Sequence, residues 1–538
     1  MSDGPSKRKA AVASDHNNND NDNNKSSSKQ NKNKDRKRRR KNAPRPGEEG
    51  YKTPTQLRNA RKRRAKKQRK GENNNNNNNN SDAKINNNNN KVKDPSSLYL
   101  SNPKSAPVVR AAQKYFEEQL SLPSFPIRVG PKRGWRTVSK LAVRPLEDDG
   151  QMAIGLFAPN SHKLVSVPDC PAHHDSINRT VGALVKLGRR LGVKPFDEST
   201  GTGLLRHVAI NVERSSGRVQ LTLVWNSQPY NNKQGQDEPT DDDQQLLDSF
   251  VKTIVARGGR KRRRGRKQKK DKCVDDDGVD DDDGVATGKE FELHSLWVHY
   301  NDSWKHDNAI FNIRGGPNSW QHRYGPTAVQ ETLTLPGQDH PIALRFPPNV
   351  FRQANLDAFA HIVAEIRKRL RGGDATETTT RRRKCVELYG GVGTIGLNIA
   401  DLFSSLVSSD ENPYNRQCFL EAAADLPEGV NVSYEPKNAA DLVKTGVLET
   451  ADVVVVDPPR KGLDDDTLDA LCCINTATKK KKRPRLLVYV SCGFDAFQRD
   501  CEALVTKSNC WKLEHAEGHL LFPGSDAIET LAFFVSNT

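Results

Sequence analysis

The apolar run 385–389 passes directly into Gly390-Gly391-Val392-Gly393-Thr394-Ile395-Gly396, and no other feature restricts the fold of this chain so strongly. Gly391, Gly393 and Gly396 satisfy G-x-G-x-x-G between a strand and a helix. The missing Cβ atoms there permit a tight turn and let the backbone approach a ligand at a helix N-terminus. An acid, Asp410, follows 21 residues after Tyr389 at the end of the next apolar stretch, where a ribose hydroxyl pair would be bound. The surroundings alternate in the same sense. Residues 357–370 have helical spacing, and 406–408, 453–456, 486–490 and 530–535 read as further strands. Helix and strand in alternation predict a doubly wound, Rossmann-like α/β domain over 346–538. By itself the glycine motif fits a structural turn or a nicotinamide dehydrogenase equally well.

Upstream the composition changes twice. Residues 1–96 carry basic blocks at 34–41 and 58–70 and asparagine runs at 73–80 and 86–90, with almost no aromatics, and predict a disordered tail. The basic blocks read either as a solvated, variable tail or as nuclear-localisation or RNA-gripping arms, and nucleus or nucleolus is favoured over cytoplasm. Residues 97–345 regain apolar weight, with short strands at 154–157, 164–167, 207–212 and 219–225 and a helix at 177–191, and predict an α+β substrate-side domain. Within it, 228–289 sets a basic cluster beside an acidic one and reads as a looped-out insert. The net charge of +19 makes nucleic acid the leading partner. The chain holds no apolar run of the ~18 residues that crossing a membrane needs, so no membrane partner is expected. Nine irregularly spaced cysteines do not form a disulfide framework.

Three further strand ends carry chemistry. Val453-Val454-Val455-Val456 runs into Asp457-Pro458-Pro459-Arg460-Lys461-Gly462, an acid and two prolines at the edge where such sheets bind ligands. A (D/N)PP stretch after a strand is the mark of methyltransferases acting on planar bases, and it shifts the glycine motif from a nicotinamide to S-adenosylmethionine. Leu487-Val488-Tyr489-Val490-Ser491 places the thiol of Cys492 at the same edge. Buried cysteines are ordinarily inert, as Cys418, Cys472 and Cys473 are read to be, and position alone distinguishes Cys492. Finally, Glu529 follows Pro523-Gly524-Ser525-Asp526 and opens the last apolar run.

Together these motifs resemble the RNA uracil-5 methyltransferase family, and Phe346-Pro347-Pro348-Asn349-Val350-Phe351-Arg352-Gln353-Ala354-Asn355 looks like that family's Pro-rich turn followed by F-x-Q-x-N. The resemblance spans roughly 340–538 and is weaker upstream, where Cys170-Pro171-Ala172-His173-His174 is reminiscent of family members. It implies S-adenosylmethionine contacts at Gln353, Tyr389, Thr394, Asp410, Asn438 and Asp457. Thr394 stands where bacterial relatives commonly have Asn, and Asn438 where many have Asp. It further implies that Cys492 is a nucleophile adding to carbon 6 of uracil, and that Glu529 accepts the carbon-5 proton, on tRNA or rRNA. No cysteine precedes Cys170, so no iron–sulfur cluster is expected, and no residue is assigned to a metal.

Rival readings remain in view. RNA cytosine-5 methyltransferases use a second cysteine directly after the motif's proline, where this chain has Arg460, and an N6-adenine enzyme would want an aromatic residue there. A non-catalytic RNA-binding or ribosome-assembly protein on the same scaffold is the alternative from another class. Deleting residues 1–96 is expected to weaken RNA binding and flatten the slope of log affinity against log salt. An unchanged slope in a filter-binding series would remove the tail's electrostatic role.

Overall fold

The computed structural model describes residues 96–538 apart from 147–148, 159–160, 228–240, 260–290, 303–309, 312–316, 373–382, 474–483, 509 and 538. The expected tail, and much of the expected insert, lie outside the described residues. In chain order the strands are β1 (Ile127–Val129), β2 (Val138–Pro145), β3 (Met152–Phe157), β4 (Leu164–Ser166), β5 (Leu205–Val212), β6 (Val219–Trp225), β7 (Leu293–Tyr300), β8 (Trp320–Tyr324), β9 (Val329–Glu331) and β10 (Leu344–Phe346). They continue with β11 (Lys384–Leu388), β12 (Ser405–Ser409), β13 (Asn431–Glu435), β14 (Val453–Val456), β15 (Leu486–Ser491), β16 (Trp511–Leu520) and β17 (Glu529–Ser536).

Seven of these form one sheet in the order β4-β3-β2-β5-β6-β7-β8, and eight form another in the order β1-β16-β17-β15-β14-β11-β12-β13. The second sheet is parallel from β13 to β15, and β17 enters antiparallel between β15 and β16. Its central strands are apolar throughout because both faces are covered. Val453, Val455, Val488 and Val490 pack with the helix Leu356–Gly372 on one side. Val454, Val456, Leu487 and Tyr489 pack on the other with the helices Pro107–Gln113 and Phe494–Cys501. Among the described residues, no helix is long and apolar enough to cross a membrane.

Two parts of the chain sit differently from the sequence expectation. The segment 103–129, read there with the substrate-side domain, packs on the second sheet instead: β1 pairs parallel with β16, and Val109, Phe116 and Phe125 enter that core. Phe116 stacks on Phe125 with ring centroids 4.3 Å apart. In addition, the stretch read as a looped-out insert contains the helix Asp241–Gly258. Because β6 and β7 pair in parallel, the chain between them has to cross over the sheet, and a helix is the usual crossover. Leu247, Phe250, Val251 and Ile254, at helical spacing, are buried on the first sheet. The flanking charge clusters hid this short apolar stripe. Replacing fully buried Phe250 by Ala is expected to cost about 3–5 kcal/mol and to lower the midpoint of thermal unfolding, and a midpoint unchanged by calorimetry would contradict this docking.

Candidate active site

Strand register decides which side chains meet. Leu388 pairs with Val456 on one side and Ser409 on the other, so Tyr389 follows level with Asp457 and Asp410. Ser491 pairs with Thr530, and because β17 runs the opposite way, the next step brings Cys492 opposite Glu529. Along the carboxyl edge the order is therefore Glu529, Cys492, Asp457, Tyr389 and Asp410, one per strand at spacings of about 5 Å. The chain reverses its direction of travel across the sheet between β11 and β14, the switch point at which doubly wound sheets bind ligands.

On the β11 side a buried acid holds the glycine turn. Glu387 accepts hydrogen bonds from the Gly396 N–H (2.7 Å) and the Ser408 hydroxyl (2.5 Å). A Cβ at Gly396 would lie 2.2 Å from that carboxylate, which explains the glycine. Asp410 accepts from the Gly391 N–H at 3.1 Å and the Asn412 N–H at 2.8 Å. Gly391 has φ of +57°, and a Cβ there would meet no atom within 4 Å, so the turn faces open space beside Asp410. Tyr389 adopts φ of +59°, rare for a side-chain-bearing residue, and its hydroxyl donates to Asp464 at 2.6 Å. Thr394 is half-buried in the turn, its carbonyl accepting from the Asn398 side chain.

Gln353 is half-buried between two anchored neighbours. Arg352 donates to the Val212 carbonyl and to Glu331, and Asn355 donates to the Leu521 carbonyl. Asn438 is an N-cap: its side-chain oxygen accepts from the Asp441 N–H at 2.8 Å, and its amide donates to the Asp441 carboxylate. It lies beyond β13, outside the row that joins Asp410 to Glu529.

On the β15 side, Cys492 and Arg460 line a cavity of about 500 Å³ that is also bounded by Val108, Ala111, Asp526 and Ile528. The helix Pro107–Gln113 is thus one wall, fixed by the Val108 N–H donating to Asp526 at 2.9 Å. A Cβ at Gly493 would lie 2.3 Å from the Arg460 carbonyl, so glycine after Cys492 lets the two loops touch. The D-P-P loop is held from below by buried Asp500, which accepts from the Leu463 N–H and the Tyr489 hydroxyl, both at 2.8 Å.

Burial controls the electrostatics of this edge. It pushes the Cys492 thiol up to about 11, assisted by the negative charges of Glu529 and Asp457 and opposed by Arg460. Glu529 is raised well above the ordinary carboxylate range by desolvation and by Asp457, again opposed by Arg460. Asp457 rises to about 7 through desolvation and Glu387, and desolvation likewise takes Glu387 to about 7. Sequence reasoning missed the roles of Glu387, Asp464 and Asp500. For Glu387 a signal was available, since a charged residue in the middle of an apolar strand has to be partnered.

An acid held near 7 in the fold and near 4 in the unfolded chain binds more protons when folded, so it lowers stability progressively as pH rises from about 4 to about 7. Asp457→Asn is therefore expected to raise the melting temperature relative to the parent at pH 8 but not at pH 4. Parallel melting curves across that window would contradict the shared burial.

No protein-family model matches the chain. Over 429 residues it is 29% identical to an uncharacterized RNA methyltransferase of Protochlamydia amoebophila, covering 80% of this chain and 92% of that one. It is 24% identical over 442 residues to an uncharacterized RNA methyltransferase of Bacillus cereus, with coverages of 81% and 78%. The crystal structure of Pyrococcus abyssi tRNA (uracil-54, C5)-methyltransferase in complex with S-adenosyl-L-homocysteine superposes with a TM-score of 0.52 at 17% identity, covering 80% of this chain and 83% of that one. Over most of its length the chain is thus similar in sequence to proteins named RNA methyltransferases, and its fold is the S-adenosylmethionine-dependent methyltransferase fold of the Pyrococcus abyssi structure.

Proposed function

We propose that the protein transfers a methyl group from S-adenosylmethionine to carbon 5 of a uridine in tRNA or rRNA, through a covalent bond between Cys492 and carbon 6. The observation that carries this reading is the register that sets Cys492 opposite Glu529, with Asp457 on the next strand and a cavity at Cys492 and Arg460. The glycine turn with Thr394, its open space at Gly391 and the row residues Tyr389, Asp410 and Asp457 fit the cofactor, and Gln353 and Asn438 are the further contacts that the resemblance implies. When bound, S-adenosylmethionine supplies the electrophilic methyl group.

Carbon 5 of uracil is a weak nucleophile, and the side chains supply what it lacks. Cys492 adds its sulfur to carbon 6, which sends the electron pair toward carbon 5 and the carbon-4 carbonyl. Carbon 5 takes the methyl group with release of S-adenosylhomocysteine; Glu529 then takes the carbon-5 proton, that electron pair re-forms the carbon 5–carbon 6 double bond, and the carbon–sulfur bond breaks to release Cys492 as thiolate. With the thiol pushed up to about 11, the thiolate has to be generated as substrate enters, and Arg460 is the neighbouring cation that favours it. The base has to leave its stack to reach this cavity, which favours a loop or a flipped nucleotide.

Labelled methyl transfer to total tRNA and rRNA followed by nucleoside analysis tests the proposal, and 5-methyluridine is the expected product. Cys492→Ala should abolish transfer while leaving RNA binding intact. Glu529→Gln should slow turnover by about 10²–10⁴-fold and accumulate the covalent protein–RNA adduct on denaturing gels. Finding 5-methylcytidine would overturn the discrimination drawn from Arg460, and full activity of Cys492→Ala would remove the nucleophile. If neither RNA pool is methylated, the non-catalytic scaffold becomes the better reading.

A further inference from the structure

Away from the carboxyl edge, the helix Leu356–Gly372 and β16 enclose a group of donors that the proposed reaction does not use. One ligand-type atom from each of Glu365, His515 and Glu517 lies within 4.8 Å of the other two. Glu365 and Glu517 are both buried, with Lys368 and Arg369 beside the first and Arg128, His515 and His519 beside the second. The His515 Nε2 atom is buried and makes no hydrogen bond, although its side chain is 22% exposed; its nearest ionic partner is the Glu517 Oε2, 3.8 Å away. Two donors sharing one tetrahedral zinc stand about 3.3 Å apart, so an ion would draw these atoms, now within 4.8 Å of one another, inward by up to about 1.5 Å.

We infer that Glu365, His515 and Glu517 form a zinc-binding site that clamps the helix following Gln353 onto β16. One nitrogen and two carboxylate oxygens are an acceptable donor set for Zn²⁺, with water completing the tetrahedron. The supporting contacts of a metal site are also present. His519, 2% exposed, lies 2.8 Å by its Nε2 from the Glu517 Oε1, which orients that carboxylate and leaves Oε2 turned toward His515. Arg369 donates to the Glu365 Oε1 at 3.1 Å and stacks its guanidinium over Phe533, fixing the second carboxylate. The other cations are loosely held: Lys368 reaches Glu365 with 75% of its side chain exposed, and Arg128 stands 3.7 Å from Glu517 with 54% exposed. Both can turn to solvent when an ion enters. The three donors come from positions 150 residues apart, and β16 brings in two of them as alternate residues of one face.

The test is titration of the chelator-stripped full-length protein with ZnCl₂, followed by calorimetry and thermal shift, and with CoCl₂, followed by visible absorption. One saturable equivalent, a raised melting temperature and a tetrahedral cobalt spectrum without a thiolate-to-cobalt band are expected. His515→Ala and Glu365→Gln should each weaken binding at least tenfold. His515 is partly exposed, so that variant reports binding even if Glu365→Gln fails to fold, and circular dichroism checks both. Absence of a saturable equivalent, a thiolate band pointing to cysteine ligands, or undiminished binding in His515→Ala would overturn the site.

Discussion

The reverse run of β17 between β15 and β16 is the constraint on which the candidate site depends. In an all-parallel sheet, the start of every strand lies at the edge opposite the ligand. Because β17 is antiparallel, its first residue lies at the carboxyl edge instead, and the Ser491–Thr530 pair sets Glu529 beside Cys492. Moving β17 by one residue would turn Glu529 to the other face of the sheet, since side chains alternate with a period of two. The register is secured by burial on both faces, where Leu531 and Phe533 enter one core and Ala532 and Phe534 the other.

Charge crowding is the second consequence of this arrangement. Glu387, Asp457 and Glu529 all lie in or against the low-dielectric sheet edge, and each is pushed toward its neutral form. Glu387 is stabilised by two donors from the glycine turn and β12, so its cost yields a fixed loop geometry. Arg460 is the cation that opposes the shifts of both Glu529 and Cys492. An enzyme of the proposed kind needs one group that gives up a proton and another that accepts one, and this edge makes both transitions sensitive to what enters the cavity.

Elements buried on two faces were legible in the sequence, because desolvation demands apolar runs: β14, β15 and β17 announce themselves as such, and β11 does so apart from Glu387. Strands whose polar face meets other polar groups were not. β16 alternates Lys512, Glu514, His515 and Glu517 with apolar residues, and it reads as surface until the helix carrying Glu365 is seen beside it. The helix Asp241–Gly258 was masked by charge on both sides, although the parallel pairing of β6 and β7 requires a crossover. At the site, Cys492, Glu529, Asp457, Tyr389 and Asp410 fall into one row as the motifs imply. Asn438, chosen by resemblance alone, has its side chain engaged in capping. Motif order along the chain encodes which strand end a residue occupies; it does not encode what its side chain bonds to.

A buried ion-pair network anchors the turn that carries Gln353. Arg352, buried at the end of the Pro-rich turn, donates to the Val212 carbonyl of β5 and to Glu331 of β9, and Glu331 in turn receives Arg214, which also pairs with Asp357 at the start of the helix Leu356–Gly372. Desolvation lowers the Arg352 guanidinium to about 10, yet Glu331 keeps it charged at neutral pH. Breaking such a buried pair leaves an uncompensated charge, so the penalty falls on any movement of the turn. Gln353 follows immediately, and its position is therefore set by an ion pair that touches neither proposed ligand. The geometry of a group-transfer site tolerates errors of only a fraction of an ångström, and here the turn is tied to β5 and to β9 through one arginine.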